Sequence, residues 1–100
     1  MTRGRGRQPI RLGIIGTGLA VEQLHWPALK RMPDRFRVAA FCDVERSNAE
    51  RFADYSGAAM DAYVEDFHDL LRRDDVDAVL VSLPIPLNYP VTRAALEAGK

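Results

Sequence analysis

From Pro9 onward the chain alternates between two hydrophobic periods, and that alternation restricts it to one fold class. Ile10-Arg11-Leu12-Gly13-Ile14-Ile15 is a short, β-branched-rich run that stops at Gly16-Thr17-Gly18, the pattern of a buried strand. Ala20, Leu24, Ala28, Leu29 and Met32 then recur at helical spacing as far as Pro33-Asp34. Pro27 lies inside that segment and kinks or restarts the helix, because it has no N–H to donate. Phe36-Arg37-Val38-Ala39-Ala40-Phe41-Cys42 is a second apolar run, ending at Asp43. Residues 45–55 read as a helix closed by Ser56-Gly57, where glycine suits the left-handed residue that ends many helices.

The pattern repeats with a weak strand near 59–63 and a short helix over 66–73 with Phe67, Leu70 and Leu71 on one face. A third clear strand covers 77–82, and its unbroken apolar character predicts cover on both faces. Pro84 and Pro86 predict a non-helical turn, after which a last helix spans about 89–98 with Gly99 as its stop. Four strand–helix alternations mean an α/β fold, a doubly wound parallel sheet with helices on both sides. Right-handed crossovers give the strand order 3-2-1-4. The sequence ends on a helix where a further strand is expected, so the sheet reads as incomplete at its C-terminal edge.

Composition narrows the function classes. No apolar run reaches the ~18–20 residues that span a bilayer, and Met1-Thr2-Arg3-Gly4-Arg5-Gly6-Arg7 has no hydrophobic segment behind its charges, so it is not a secretory signal. The single cysteine, Cys42, rules out an internal disulfide framework or a cysteine-built metal site and fits a reducing cytoplasm. The net charge of zero hides an asymmetry: residues 1–11 carry four arginines and no acid, leaving 10 basic and 14 acidic side chains in 12–100. An acidic body lacks the basic face that nucleic acid demands, so no specific nucleic-acid partner is expected. Residues 1–9 read as a solvated, disordered Arg/Gly-rich extension.

Gly16-Thr17-Gly18 lies between a strand and a helix, the context in which such glycines bear on nucleotide binding. The first permits a tight turn, and the second removes a side chain so that a pyrophosphate can approach the helix N-terminus. The third position of the G-x-G-x-x-G/A pattern is Val21, a departure that loosens helix–strand packing or shifts the packing role to Ala20. Asp43 ends the second strand 25 residues after Gly18, near the ~20-residue offset of a ribose-binding acid. A carboxylate there accepts both ribose hydroxyls and repels a 2′-phosphate, favouring NAD over NADP, while Arg46 nearby softens that preference. Asp43 also suits a helix N-cap. His25 and His68 read as packed or solvated residues, Cys42 as a buried thiol, and no Ser-His-Asp or Cys-His arrangement is legible. A methyltransferase site would also use a glycine turn, but it usually carries an acid shortly before the glycines, where this chain has Gly13, Ile14 and Ile15.

Leu12-Gly13-Ile14-Ile15-Gly16-Thr17-Gly18-Leu19-Ala20 and then His25-Trp26-Pro27-Ala28-Leu29 resemble the opening of the Gfo/Idh/MocA family, the relatives of glucose–fructose oxidoreductase and inositol dehydrogenase. The resemblance continues through Phe41-Cys42-Asp43, Val76-Asp77-Ala78-Val79 and Ala94-Ala95-Leu96-Glu97-Ala98-Gly99-Lys100, covering roughly residues 10–100. It implies a Rossmann-type domain that binds NAD or NADP, followed by a larger substrate-binding domain that also forms oligomer interfaces. Members mostly oxidise or reduce a hydroxyl or carbonyl of sugars, polyols and similar molecules. The family's usual catalytic lysine stands in a Glu-Lys-Pro strand after the Ala-Gly-Lys segment, so Lys100 is not its counterpart. Relatives often show Thr-Pro-Asn and then a histidine after the strand at Val79-Leu80-Val81-Ser82, where this chain has Leu83-Pro84-Ile85 and Asn88. The candidate cofactor contacts are therefore Gly16, Thr17, Gly18, Leu19, Ala20, Asp43, Arg46, Ser82, Leu83, Pro84 and Asn88, with no catalytic residue or metal ligand assigned. The rival class is a non-catalytic nucleotide-binding module, a sensor or partner subunit.

Overall fold

The computed structural model describes residues 8–100. Of the Arg/Gly-rich extension expected over 1–9, residues 1–7 lie outside the described residues. Strand β1 (Ile10–Ile15) leads through the glycine turn to a π-helical turn (Val21–His25) and helix α1 (Trp26–Leu29). There follow β2 (Phe36–Cys42), α2 (Arg46–Ser56), a 3₁₀ turn (Met60–Ala62), β3 (Tyr63–Val64), α3 (Phe67–Leu71), β4 (Ala78–Val81) and α4 (Ile85–Glu97). The four strands form one parallel sheet in the order β3-β2-β1-β4, as the alternation predicts.

Alternate side chains of each strand feed opposite faces. On one face Leu12, Ile14 and Phe41 pack with Val21, Ala49 and Phe52. On the other, Ile15, Ala40 and Cys42 pack with Leu70, Leu71, Val76, Val91 and Ala95. Phe52 is the hub of the first core: its ring centroid lies 4.9 Å from Phe41, 5.4 Å from Tyr55 and 5.9 Å from Trp26. The second core packs tightly on a glycine in β1: a Cβ on Gly13 would come 2.7 Å from Leu70 Cδ2 and 3.1 Å from Val76 Cγ1, so those side chains would have to shift. The β1–β2 register shifts between Leu12 and Gly13, skipping Ala39.

Polar ties fix the sheet's far edge. Arg11 grips Asp77 with Nε and Nη2 at 3.0 and 2.8 Å, joining β1 to the start of β4. Lys100 Nζ donates to the carbonyls of Arg73 and Val76 at 2.8 and 2.6 Å, pinning the segment after α4 to the loop before β4.

Four local expectations are corrected. The β4 side chains are half-buried along their whole length rather than covered, because β4 is an edge strand of this sheet. Helix α4 starts at Ile85, not near 89. Pro84 does hold an extended conformation as its N-cap, but Pro86 falls in the first turn, where a missing N–H costs no intrahelical bond. The weak strand near 59–63 resolves into the 3₁₀ turn and the two-residue β3. The packing role does not pass to Ala20, which is exposed; Val21 itself is fully buried, and the helix opens into a π turn at that residue. Pro27 then restarts α-geometry in the first turn of α1.

Candidate cofactor site

Parallel strands deliver their C-terminal ends to one side of the sheet, and the chain's unusual residues collect there. The glycine turn leaves β1, Asp43 leaves β2, Glu65-Asp66 leave β3 and Ser82-Leu83-Pro84 leave β4. Together they border a cleft of ≈ 840 Å³. A crevice at the carboxyl ends of strands, where the order turns from β1 toward β2 on one side and β4 on the other, is the general ligand site of open α/β sheets.

Gly16 has φ 96° and donates its N–H to Cys42 O at 2.8 Å, while Ser82 donates its N–H to Ile15 O at 2.8 Å. A Cβ on Gly16 would collide with the Ser82 carbonyl, so both the backbone angle and the packing require glycine. Gly18 differs: a Cβ there would meet no heavy atom within 4 Å, and Gly18 borders the cleft. Its carbonyl accepts the Glu22 N–H at 3.2 Å, so the N–H groups at the helix start precede the first intrahelical bond.

Thr17, between the glycines, is buried and tied to Asp43. Asp43 Oδ2 accepts the Thr17 N–H at 2.8 Å and the Thr17 hydroxyl at 3.1 Å, while Oδ1 accepts the Glu45 N–H at 2.8 Å. Asp43 is thus two residues ahead of the true N-cap of α2, Glu45, and holds the approach to that helix rather than capping it. Asn48 Nδ2 donates a longer bond to Oδ2, at 3.4 Å, so Oδ2 is fully engaged and Oδ1 carries only the Glu45 N–H.

Of the residues singled out in the sequence, Gly16, Gly18, Asp43, Ser82, Leu83 and Pro84 border the cleft, and Thr17 stands behind it. Leu19 and Ala20 are exposed at the helix start. Arg46 and Asn88 do not border the cleft. Arg46 pairs with Glu50 at 3.1 Å and lies 5.6 Å from the Tyr63 ring centroid, and Asn88 Oδ1 accepts the Leu83 N–H at 3.3 Å.

Sequence reasoning missed the acid wall. Besides Asp43, the cleft is bordered by Glu45, Glu65, Asp66 and Asp69, with Asn48 among them. The signal was available: a 3-2-1-4 order sets the end of the third strand beside the end of the second. The wall acts on Cys42, whose thiol is pushed up to about 12, first by burial and then by the charges of Asp43, Asp66, Asp69 and Glu65. The expected buried thiol is therefore what the fold holds. Asp66 itself lies below the usual carboxylate range because it accepts the His68 N–H at 2.9 Å and the His68 ring nitrogen at 2.8 Å. Among the described residues no group of three or more His, Cys, Asp or Glu could hold a metal ion, and no helix is long and apolar enough to cross a membrane.

Comparison with known proteins agrees with this architecture. Residues 10–100 match the Gfo/Idh/MocA oxidoreductase family, NAD-binding Rossmann fold. An inositol 2-dehydrogenase/D-chiro-inositol 3-dehydrogenase of Lactiplantibacillus plantarum is 32% identical over 90% of this chain and 25% of its own length. A structure of an oxidoreductase from Thermotoga maritima superposes with a TM-score of 0.85 at 41% identity, covering 92% of this chain and 28% of its own. A 3-ketoreductase from Actinomadura kijaniata, solved with NADP and TDP-benzene, gives 0.81 at 39% identity, covering 93% and 27%. The chain spans about a quarter of the length of the curated relatives it matches. It belongs to the Gfo/Idh/MocA oxidoreductase family, in which it is the NAD(P)-binding Rossmann domain.

Proposed function

We propose that this domain serves an enzyme that moves a hydride between a nicotinamide dinucleotide, NAD ahead of NADP, and a hydroxyl or carbonyl carbon of a sugar, polyol or similar small molecule. The observation that carries the reading is the open space beside Gly18 at a helix start, in a cleft that also holds Asp43. That space and the N–H groups beside it fit a pyrophosphate. The bound nicotinamide supplies the hydride chemistry; this chain supplies position and electrostatics. Gly16, Thr17, Gly18, Leu19 and Ala20 receive the phosphates, Asp43 takes a ribose hydroxyl on Oδ1, which otherwise accepts only the Glu45 N–H, and Ser82, Leu83 and Pro84 form the opposite rim.

The acid wall supports NAD over NADP. Asp43, Glu45 and Glu65 repel a 2′-phosphate, Asp66 and Asp69 being paired with His68 and Arg72, and Arg46, the cation nearest Asp43 in sequence, is paired with Glu50. The Actinomadura 3-ketoreductase was solved with NADP, so NADPH is the cofactor to test against. Neither lysine of this chain suits the proton-handling role, since Lys100 is bonded to carbonyls and Lys30 lies at the opposite end of the sheet. That role and the substrate contacts fall to a second domain, with the full protein a homo-oligomer in the cytoplasm, where the free Cys42 stays reduced. A second reading, nucleotide binding without catalysis, is favoured by Asn88, which is turned to the Leu83 amide where relatives often carry histidine.

Titration of the chain with NADH, NADPH and S-adenosylmethionine tests the assignment. Saturable NADH binding tighter than NADPH, with no competition from S-adenosylmethionine, supports it. Preference for NADPH removes the role given to the acid wall, and competition by S-adenosylmethionine moves the site to another class of chemistry. Substrate-dependent NAD reduction by the full-length protein separates the enzyme from the silent module.

A further inference from the structure

The other end of the sheet carries a second concavity, of ≈ 290 Å³, near the lower size bound of small-molecule sites. Leu12, Leu29, Phe36 and Val38 give it an apolar lining, and the half-buried Trp26 forms one wall. Two exposed cations, Lys30 and Arg37, complete it. Neither has an ion-pair partner among the described residues, and Arg31 and Arg35 beside them are equally unpaired, whereas seven other basic side chains are engaged with acids. Asp34 is the only acid within residues 30–37.

We propose that this groove binds a small organic anion with an apolar body, a medium-chain or aromatic carboxylate. Its body would lie against Trp26, Leu29 and Phe36, and its carboxylate against Lys30 and Arg37. Charge complementarity selects that class: the cations have no counter-charge among the described residues, and an apolar lining of this size has no use for a fully hydrated ion. The groove also includes Ser56-Gly57 at the C-terminal end of α2, where the helix dipole is negative. That pole repels the carboxylate and leaves the Lys30–Arg37 side as its place.

Trp26 is the chain's single tryptophan, so its fluorescence reads the groove directly. Titration of the chain with hexanoate is expected to give a saturable fluorescence change. Hexan-1-ol, which keeps the body and lacks the charge, is expected to bind roughly tenfold more weakly, and so is hexanoate to a Lys30→Ala/Arg37→Ala double variant, at about 0.7 kcal/mol for each exposed charge. Arg93→Ala, a cation change on α4, leaves the titration unmoved. Both altered residues of the double variant are exposed, so its thermal melt stays close to the parent's. No saturable change with hexanoate, equal affinity for hexanoate and hexan-1-ol, or an unaltered affinity in the double variant would each overturn the proposal.

Discussion

Gly16 packs its α-carbon against the Ser82 carbonyl so closely that no side chain fits between them, while Gly18, two residues on, faces empty space. The two glycines therefore separate stability from binding. Gly16→Ala is expected to destabilise the fold by about 3 kcal/mol or more, combining a collision with backbone and a φ that L-residues avoid. Gly18→Ala is expected to melt within a few degrees of the parent yet bind NADH at least tenfold more weakly. Urea titration and NADH titration of both variants check this; a Gly18→Ala chain with full NADH affinity would remove the phosphate contact from that residue.

Asp43 and Thr17 supply the second test. Asp43→Ala is expected to weaken NAD binding and narrow its advantage over NADP, and also to lower stability, since it frees Thr17 and Glu45 amides. Thr17→Val keeps the amide bond and loses the hydroxyl contact, costing about 1 kcal/mol of stability and leaving the NAD/NADP affinity ratio where it was. An unchanged ratio in Asp43→Ala sinks the ribose assignment.

Both glycines, the acid and the strand order were readable in the sequence because each depends on local chemistry: a turn that excludes a Cβ, a carboxylate at a strand end, and apolar runs spaced by helices. Arg46 and Asn88 stand off the cleft's border because closeness in sequence does not set direction. Arg46 is drawn along α2 to Glu50, one turn away, and Asn88 turns back to the orphan amide of Leu83. Likewise the burial of β4 depends on what lies beside it, which its own apolar run does not encode. The acid wall was hidden for a related reason: Glu65, Asp66 and Asp69 look like solvated charges until β3 is set beside β2.

Cys42 gives a pH test. Its thiol is raised to about 12 in the fold against an ordinary value of about 8.5, so its contribution to stability is complete below about 8.5. Above that the unfolded chain ionises first, and the contribution fades as pH rises toward 12. The urea midpoint of the parent should fall more steeply between pH 8 and 10 than that of Cys42→Ala, and iodoacetamide at pH 8 should label the thiol only in denaturant. Parallel pH profiles, or rapid native labelling, would contradict this.

Lys100→Met is expected to lose about 2 kcal/mol, because two carbonyls of the 73–76 turn forfeit a charged donor. An unshifted urea midpoint would show that water replaces the ammonium without cost.

The 100-residue chain by itself is expected to self-associate, since β4 offers an unpaired strand edge with half-buried side chains. Sedimentation across a hundredfold concentration range reads this directly. A sharp monomeric melt that ignores concentration would refute it.

Charge is also sorted along β2. Acids follow its carboxyl end, and cations with no acid partner among the described residues gather where it begins. The two ends of β2 thus present opposite local charge, a contrast that lies at the surface and that added salt weakens.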